Sequence, residues 1–261
     1  MKDKFEVEVA SKVPEVSLAF WVIKIAATTF GETGGDTVTM TLGWSYLAGT
    51  ALFLGLLIAL VIAQIVARKF HPMLYWATIV ASTTFGTTLA DFADRSLGIG
   101  YAGGSTLLLI SLLVMLGAWY RSEGTISVNT VATPKVEAFY WAAITCSQTL
   151  GTALGDWTAD TEALGYAGGT LVFAAGLAIV AGLYYWTNVS HVVLFWAAFI
   201  LTRPLGATVG DFLDKPIEEG GLDLSRPLAS AVIAGFILLC LFVLPQRAGK
   251  HPQVSRTPAG D

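Results

Sequence analysis

Charge is scarce in this sequence. Asp, Glu, Lys and Arg make up 13% of its 261 residues, against about 25% in ordinary soluble domains. With 54% hydrophobic residues and a mean hydropathy of +0.66, this argues against a disordered chain and against a soluble globular enzyme. Basic residues are not in excess either. The net charge is −4, so the basic footprint of a nucleic-acid binder is missing. Cysteine is nearly absent. Cys146 and Cys240 lie in apolar runs and form no CxxC pair, which leaves neither a disulfide framework nor a zinc knuckle. They read as small buried hydrophobes. His71, His191 and His251 fall in loops or the tail and form no metal-ligating set. No GxxxxGK[ST] loop occurs, so any transport must draw on gradients or a partner.

Long apolar segments dominate what is there. Crossing a hydrocarbon core takes about 20 residues. Residues 43–67, 103–120, 168–186 and 229–244 are uniformly apolar. They alternate with 18–31, 74–90, 139–155 and 192–210, which carry Thr, Gly and acids near their ends. The pattern predicts an all-α integral membrane protein with eight spans. Residues 1–17 lack the layout of a signal peptide and read as a cytoplasmic tail. Residues 245–261, rich in Pro, Gly and polar types, read as a disordered one. Lys2, Lys4 and Lys12, Arg68 and Lys69, Arg121 and Lys135, and Arg247, Lys250 and Arg256 would all lie on one side. That bias places both termini in the cytoplasm.

The weaker segments repeat. They read FWVIKIAATTFGETGGD, YWATIVASTTFGTTLAD, YWAAITCSQTLGTALGD and FWAAFILTRPLGATVGD. Each starts with an aromatic residue and a tryptophan: Trp21, Trp76, Trp141 or Trp196. Ten residues on stands Gly31, Gly86, Gly151 or Gly206, and fifteen on stands Asp36, Asp91, Asp156 or Asp211. The units cover 18–67, 74–120, 139–186 and 192–244. The fourth needs about five extra residues around IEEGGLDLSRP. Each unit holds two spans, so all four run in the same direction. The aspartates then share one membrane face, the extracytoplasmic one. The tryptophans read as interfacial anchors, and Tyr46, Tyr101 and Tyr166 as an outer aromatic belt.

These tandem units, with their aromatic–Trp pairs, glycines and aspartates, resemble the bacterial and archaeal membrane proteins built from the DUF347 repeat, over roughly residues 18–244. The resemblance implies an integral inner-membrane protein. It implies no particular activity, so function must come from the residues.

Counting back in fours from each aspartate stays on one helix face. The stripes are Asp36, Glu32, Thr28 and Lys24; Asp91, Thr87, Thr83 and Ile79; Asp156, Thr152, Gln148 and Ile144; and Asp211, Ala207, Arg203 and Phe199. Four such stripes must face one another or a wet cavity, not lipid. The odd helices are therefore expected inside and the even ones outside. Further acids follow at Asp94, at Asp160 with Glu162, and at Asp214, while Glu32 precedes Asp36, so each copy offers two carboxylates. Carboxylate, hydroxyl and carbonyl oxygens suit a hard cation such as Mg, Ca or Mn. Glu32, Asp36, Asp91, Asp156 and Asp211 are the candidate metal ligands.

Lys24 and Arg203 lie deeper in the stripes, as structural counter-ions or as tethered cations that compete with a substrate. Pro204 and the GETGGD and TTFG stretches are places where helices could be interrupted, while the glycines and small residues on the odd helices equally allow close helix contact. The leading expectation is a non-enzymatic carrier of a divalent cation, manganese first, through a central polar cavity lined by Thr28, Thr83, Thr87, Gln148 and Thr152. Its partners would be the lipid bilayer and a small inorganic cation, with no resident cofactor. The alternatives are a scaffold or sensor with structural acids, and an intramembrane aspartyl protease. Against the protease, ALGD and TVGD lack the first glycine of a GxGD signature.

Overall fold

A computed structural model describes residues 10–159 and 164–250. Eight long helices carry the described chain: α1 (Leu18–Asp36), α2 (Tyr46–Val66), α3 (Pro72–Asp91), α4 (Tyr101–Glu123), α5 (Pro134–Ala159), α6 (Gly165–Trp186), α7 (His191–Asp214) and α8 (Arg226–Val243). Their starts are written locally. Ser17 and Ser45 accept a backbone N–H at the first turns of α1 and α2, and Pro72 opens α3 where a missing N–H costs nothing. Five helices, α2, α4, α6, α7 and α8, are long and apolar enough to cross a membrane.

The odd helices form a closed ring, in which α1 packs on α3 and α7, and α5 on α3 and α7. Each even helix lies outside this ring against the inner helix of the following repeat: α2 on α3, α4 on α5, α6 on α7, and α8 back on α1. The ring thus closes as a pinwheel. Close approach of the inner helices depends on the repeated glycine. A side chain at Gly31 would strike Thr83, at Gly86 Gln148, at Gly151 Arg203 and at Gly206 Thr28. All four struck residues occupy one register, seven after the repeat's tryptophan.

Two expectations need correction. The helices are not interrupted: α1 runs through GETGGD, α3 through TTFG and α7 through Pro204. The glycines serve helix contact instead of helix breaking. Wider π-type turns, Thr37–Thr41 and Phe92–Ser96, come only after Asp36 and Asp91. The terminal segments are not wholly tails, either. Strand β1 (Ala10–Pro14) pairs antiparallel with β2 (Ala248–Lys250). Residues 245–250 therefore continue the fold where disorder was expected. Ser11 Oγ donates to Val128 O at 2.8 Å, and Lys12 Nζ reaches Glu137 at 2.5 Å and the carbonyls of Gln64 and Ile65 at the end of α2. A cation at a helix C-terminus satisfies carbonyls left without donors.

The five extra residues of the fourth repeat also have a structural task. The loop after α7 folds back so that Leu222, Asp223 and Leu224 donate to the carbonyls of Phe212, Lys215 and Leu213. Gly221 sits there because a Cβ would collide with the Lys215 backbone.

Candidate functional site

The four stripes meet on the ring axis as successive layers. At the tryptophan end lie Phe20, Tyr75, Tyr140 and Phe195, each immediately before its repeat's tryptophan and all buried. Tyr75 and Tyr140 share a hydrogen bond of 2.6 Å between their hydroxyls. The tryptophans pack into this layer: Trp76 lies 5.4 Å from Phe20 and Trp141 5.6 Å from Tyr75, centre to centre. Trp76, Trp141 and Trp196 are 4% exposed or less. Trp76 Nε1 donates to Gln246 and Trp196 Nε1 to the carbonyl of Ile126. They are a buried plug rather than the lipid-interface anchors the sequence suggested. Trp21 alone of the four is half-buried.

One turn on, Lys24 shares its layer with Ile79, Ile144 and Phe199, all fully buried. Its Nζ lies 4.1 Å from the centre of the Phe199 ring and 3.3 Å from Gln148 Oε1. Next come Thr28, Thr83, Gln148 and Arg203. Thr28 bonds the carbonyl of Thr202 across to α7 as well as its own helix. Thr83 Oγ1 has no hydrogen-bond partner.

The following layer is Glu32, Thr87, Thr152 and Ala207. Here the fourth repeat departs from its siblings. Ala207 leaves the polar position vacant, and Arg203 reaches up from one turn below to fill it. Arg203 Nη2 donates to Glu32 Oε2 at 2.9 Å, Thr87 Oγ1 at 2.6 Å and Thr152 Oγ1 at 2.5 Å. One guanidinium thereby ties all four repeats together. The polar stripes meet, as expected, but around this packed knot and not around a wide central cavity.

Beyond the knot stand Asp36, Asp91, Asp156 and Asp211, all buried. Ligand oxygens of Glu32, Asp36 and Asp211 fall within 4.8 Å of one another. Asp91 and Asp156 lie outside that trio but near enough to interact with it electrostatically. Asp214 joins the cluster. Asp94 does not: it sits half-buried in the turn after α3 beside Gly104, where burial pushes its carboxyl above the usual range and Arg95 opposes the shift. Asp160 lies outside the described residues.

Basic residues close in on these acids. Lys215 Nζ is 2.7 Å from Asp36 and 3.0 Å from Asp211. Arg95 pairs with Asp91 at 2.8 Å, and Arg226 with Asp214 at 3.5 Å. Asp156 has neither a hydrogen bond nor an ion pair among the described residues. Asp36 Oδ1 and Asp91 Oδ2 are buried and without hydrogen-bond partners. No spacing in the sequence signalled the pairing of Arg226 with Asp214 or of Tyr75 with Tyr140. Arg226 opens the helix after the extra loop of the fourth repeat. The tyrosine pair was visible only as Tyr replacing Phe before the tryptophan in copies two and three.

The repeats seen in this geometry match the family model described as Repeat of Unknown Function (DUF347) over residues 19–70, 74–125, 139–190 and 194–247. The chain belongs to the DUF347 family. No curated protein and no solved structure matches it. In this chain each DUF347 repeat is an inner helix with an acid near its end plus an outer helix lent to the next repeat. The four copies differ most tellingly at Lys24, Glu32, Gln148, Arg203 and Lys215.

Proposed function

We propose that this protein is a membrane carrier for a hard divalent cation, manganese the first to test, and not an enzyme. One observation carries the reading. Six buried carboxylates (Glu32, Asp36, Asp91, Asp156, Asp211 and Asp214) face four basic side chains (Arg95, Arg203, Lys215 and Arg226) among the described residues. Counted as ionised, the carboxylates exceed the basic groups by two charges. Buried charge without a partner is costly, and one divalent ion removes the excess. The donors at hand are all oxygens, with no His or Cys among them, which favours a hard ion over zinc or copper.

In this reading all eight helices span the membrane, because α1, α3 and α5 stand inside a ring of apolar helices. The tryptophan end faces the cytoplasm, since Arg68, Lys69, Arg121, Lys135, Arg247 and Lys250 gather there. The acids then open outward, and the aromatic layer and the Arg203 knot shut the inward path. Lys215 occupies the site as a tethered cation that an incoming ion displaces.

A purely structural role for the acids is the second reading, favoured by their many ion pairs. Manganese flux into proteoliposomes separates the two. Asp36→Asn and Asp156→Asn should reduce flux at least tenfold with normal membrane insertion, and Asp94→Asn should leave it unchanged. Undiminished flux in both cluster variants, or no flux in the wild type, refutes the carrier.

A further inference from the structure

On the tryptophan side of the Glu32–Arg203 pair, buried donors without partners outnumber the acceptors: the Thr83 hydroxyl in the same layer is also unpartnered, but one oxygen cannot serve them all. Arg203 spends only Nη2 on the knot. Its Nε and Nη1 are buried and have no hydrogen-bond partner. Gln148, at the same register on the neighbouring helix α5, gives its oxygen to Lys24 and leaves Nε2 buried without an acceptor. Lys24 reaches up from one turn below, and among the described residues its Nζ meets that oxygen and the face of Phe199. All three side chains are fully buried. They come from α1, α5 and α7 and stand on adjacent layers of the axis, with Lys24 reaching the level of Gln148.

The charge there has the opposite sign to that of the acid cluster. Glu32 balances Arg203, and among the described residues no carboxylate pairs with Lys24. Leaving buried N–H groups without an acceptor is costly, and more so for charged ones. A water molecule could accept these hydrogens, but only an anion beside Lys24 would hold it as an ammonium in so buried a place. A monovalent anion answers both demands. We infer that a small monovalent anion binds on the ring axis between Lys24, Gln148 and Arg203, one layer below the acids. Chloride is the ion to try. The inference does not rest on cation transport, because the site uses a different layer and the opposite charge.

The test is thermal unfolding of the purified full-length protein in nanodiscs, with sodium chloride replaced by sodium gluconate at constant ionic strength. Chloride at a hundredfold its Kd should raise the midpoint by about 5 °C or more. Lys24→Met and Gln148→Leu should each lose most of that rise, corresponding to at least tenfold weaker binding. Lys24→Met should also gain stability in gluconate, since it removes an uncompensated charge. No preference for chloride in the wild type, or a full chloride response in Lys24→Met, overturns the site. Should either variant fail to fold, wild-type crystals grown in bromide decide. An anomalous peak between Lys24, Gln148 and Arg203 supports the site, and no peak there overturns it. Manganese stabilisation, measured in gluconate, should depend on Asp36 and persist in Lys24→Met, so the cation and anion sites can fail separately.

Discussion

Lys215 is the sharpest lever on the acid cluster. Its Nζ lies between Asp36 at 2.7 Å and Asp211 at 3.0 Å, with 8% of the side chain exposed. The next cation to Asp36, Arg226, is 3.9 Å away. In Lys215→Met the two carboxylates lose their near partner but stay buried. Breaking a buried pair from one side costs about 3–5 kcal/mol. For a domain of this size each kcal/mol is roughly 2–4 °C, so the midpoint should fall by about 6–20 °C. If Lys215 holds the place of a substrate ion, manganese should repair the damage. At a hundredfold its Kd, a ligand returns about 2.7 kcal/mol, hence about 5–10 °C. The wild type, where the ammonium competes, should gain much less at the same concentration. The assay is unfolding in nanodiscs with and without manganese sulfate, alongside Lys215→Arg. A variant as stable as the wild type would show that the pairs contribute nothing. A manganese response no larger than the wild type's would refute the competition.

Gly151→Ala should cost about 1–3 kcal/mol from overpacking against Arg203, whereas Gly55→Ala, with open space around it, should be neutral or gain up to about 1 kcal/mol; equal effects in thermal unfolding would contradict the proposed ring contacts. Tyr75→Phe and Tyr140→Phe should each destabilise by about 1–3 kcal/mol by orphaning the other hydroxyl, and the double variant by less than the sum; strict additivity in a double-mutant cycle would show that the pair is not coupled. Because β1 and β2 place residue 10 beside residue 250, a permutant that joins these ends and opens the chain between α6 and α7 should insert and unfold like the parent; failure to insert would argue that the pinwheel does not close.

Much of this arrangement could be read along the chain. Fixed spacing placed Trp, Gly and Asp in register, and counting in fours put the polar residues on one face. Both are local properties, and helical geometry turns them directly into faces. The ion pairs were not readable in the same way. Lys215 and Asp36 are 179 residues apart, and no spacing rule says that α7 closes against α1. The tryptophans were misplaced because an aromatic at a span's end looks the same whether it meets headgroups or a neighbouring helix. What decides is the layer before it, where Phe20, Tyr75, Tyr140 and Phe195 leave the plug no room for lipid. The disordered reading of residues 245–250 failed for a related reason. Composition describes the segment alone, and its hydrogen bonds come from β1.

The fourfold pattern and its violations divide the labour. Identical glycines and swapped outer helices build a closed ring, and a ring of identical copies would stack four equal acids over four equal hydroxyls. Such a stack has no means of balancing its own charge. The substitutions supply one: arginine where the siblings have threonine or glutamine, alanine where they have a polar group, and a lysine just past the last aspartate. Arg203 neutralises Glu32 and joins the copies. Lys215 neutralises most of the Asp36–Asp211 seam. What remains is two negative charges above the knot and one positive charge below it, each buried and each incompletely bonded. Folding alone would be better served by apolar side chains at these places, since replacing buried ion pairs with well-packed hydrophobes is often neutral or stabilising. In the proposed reading these positions are kept for ions, one of each sign, on either side of Arg203.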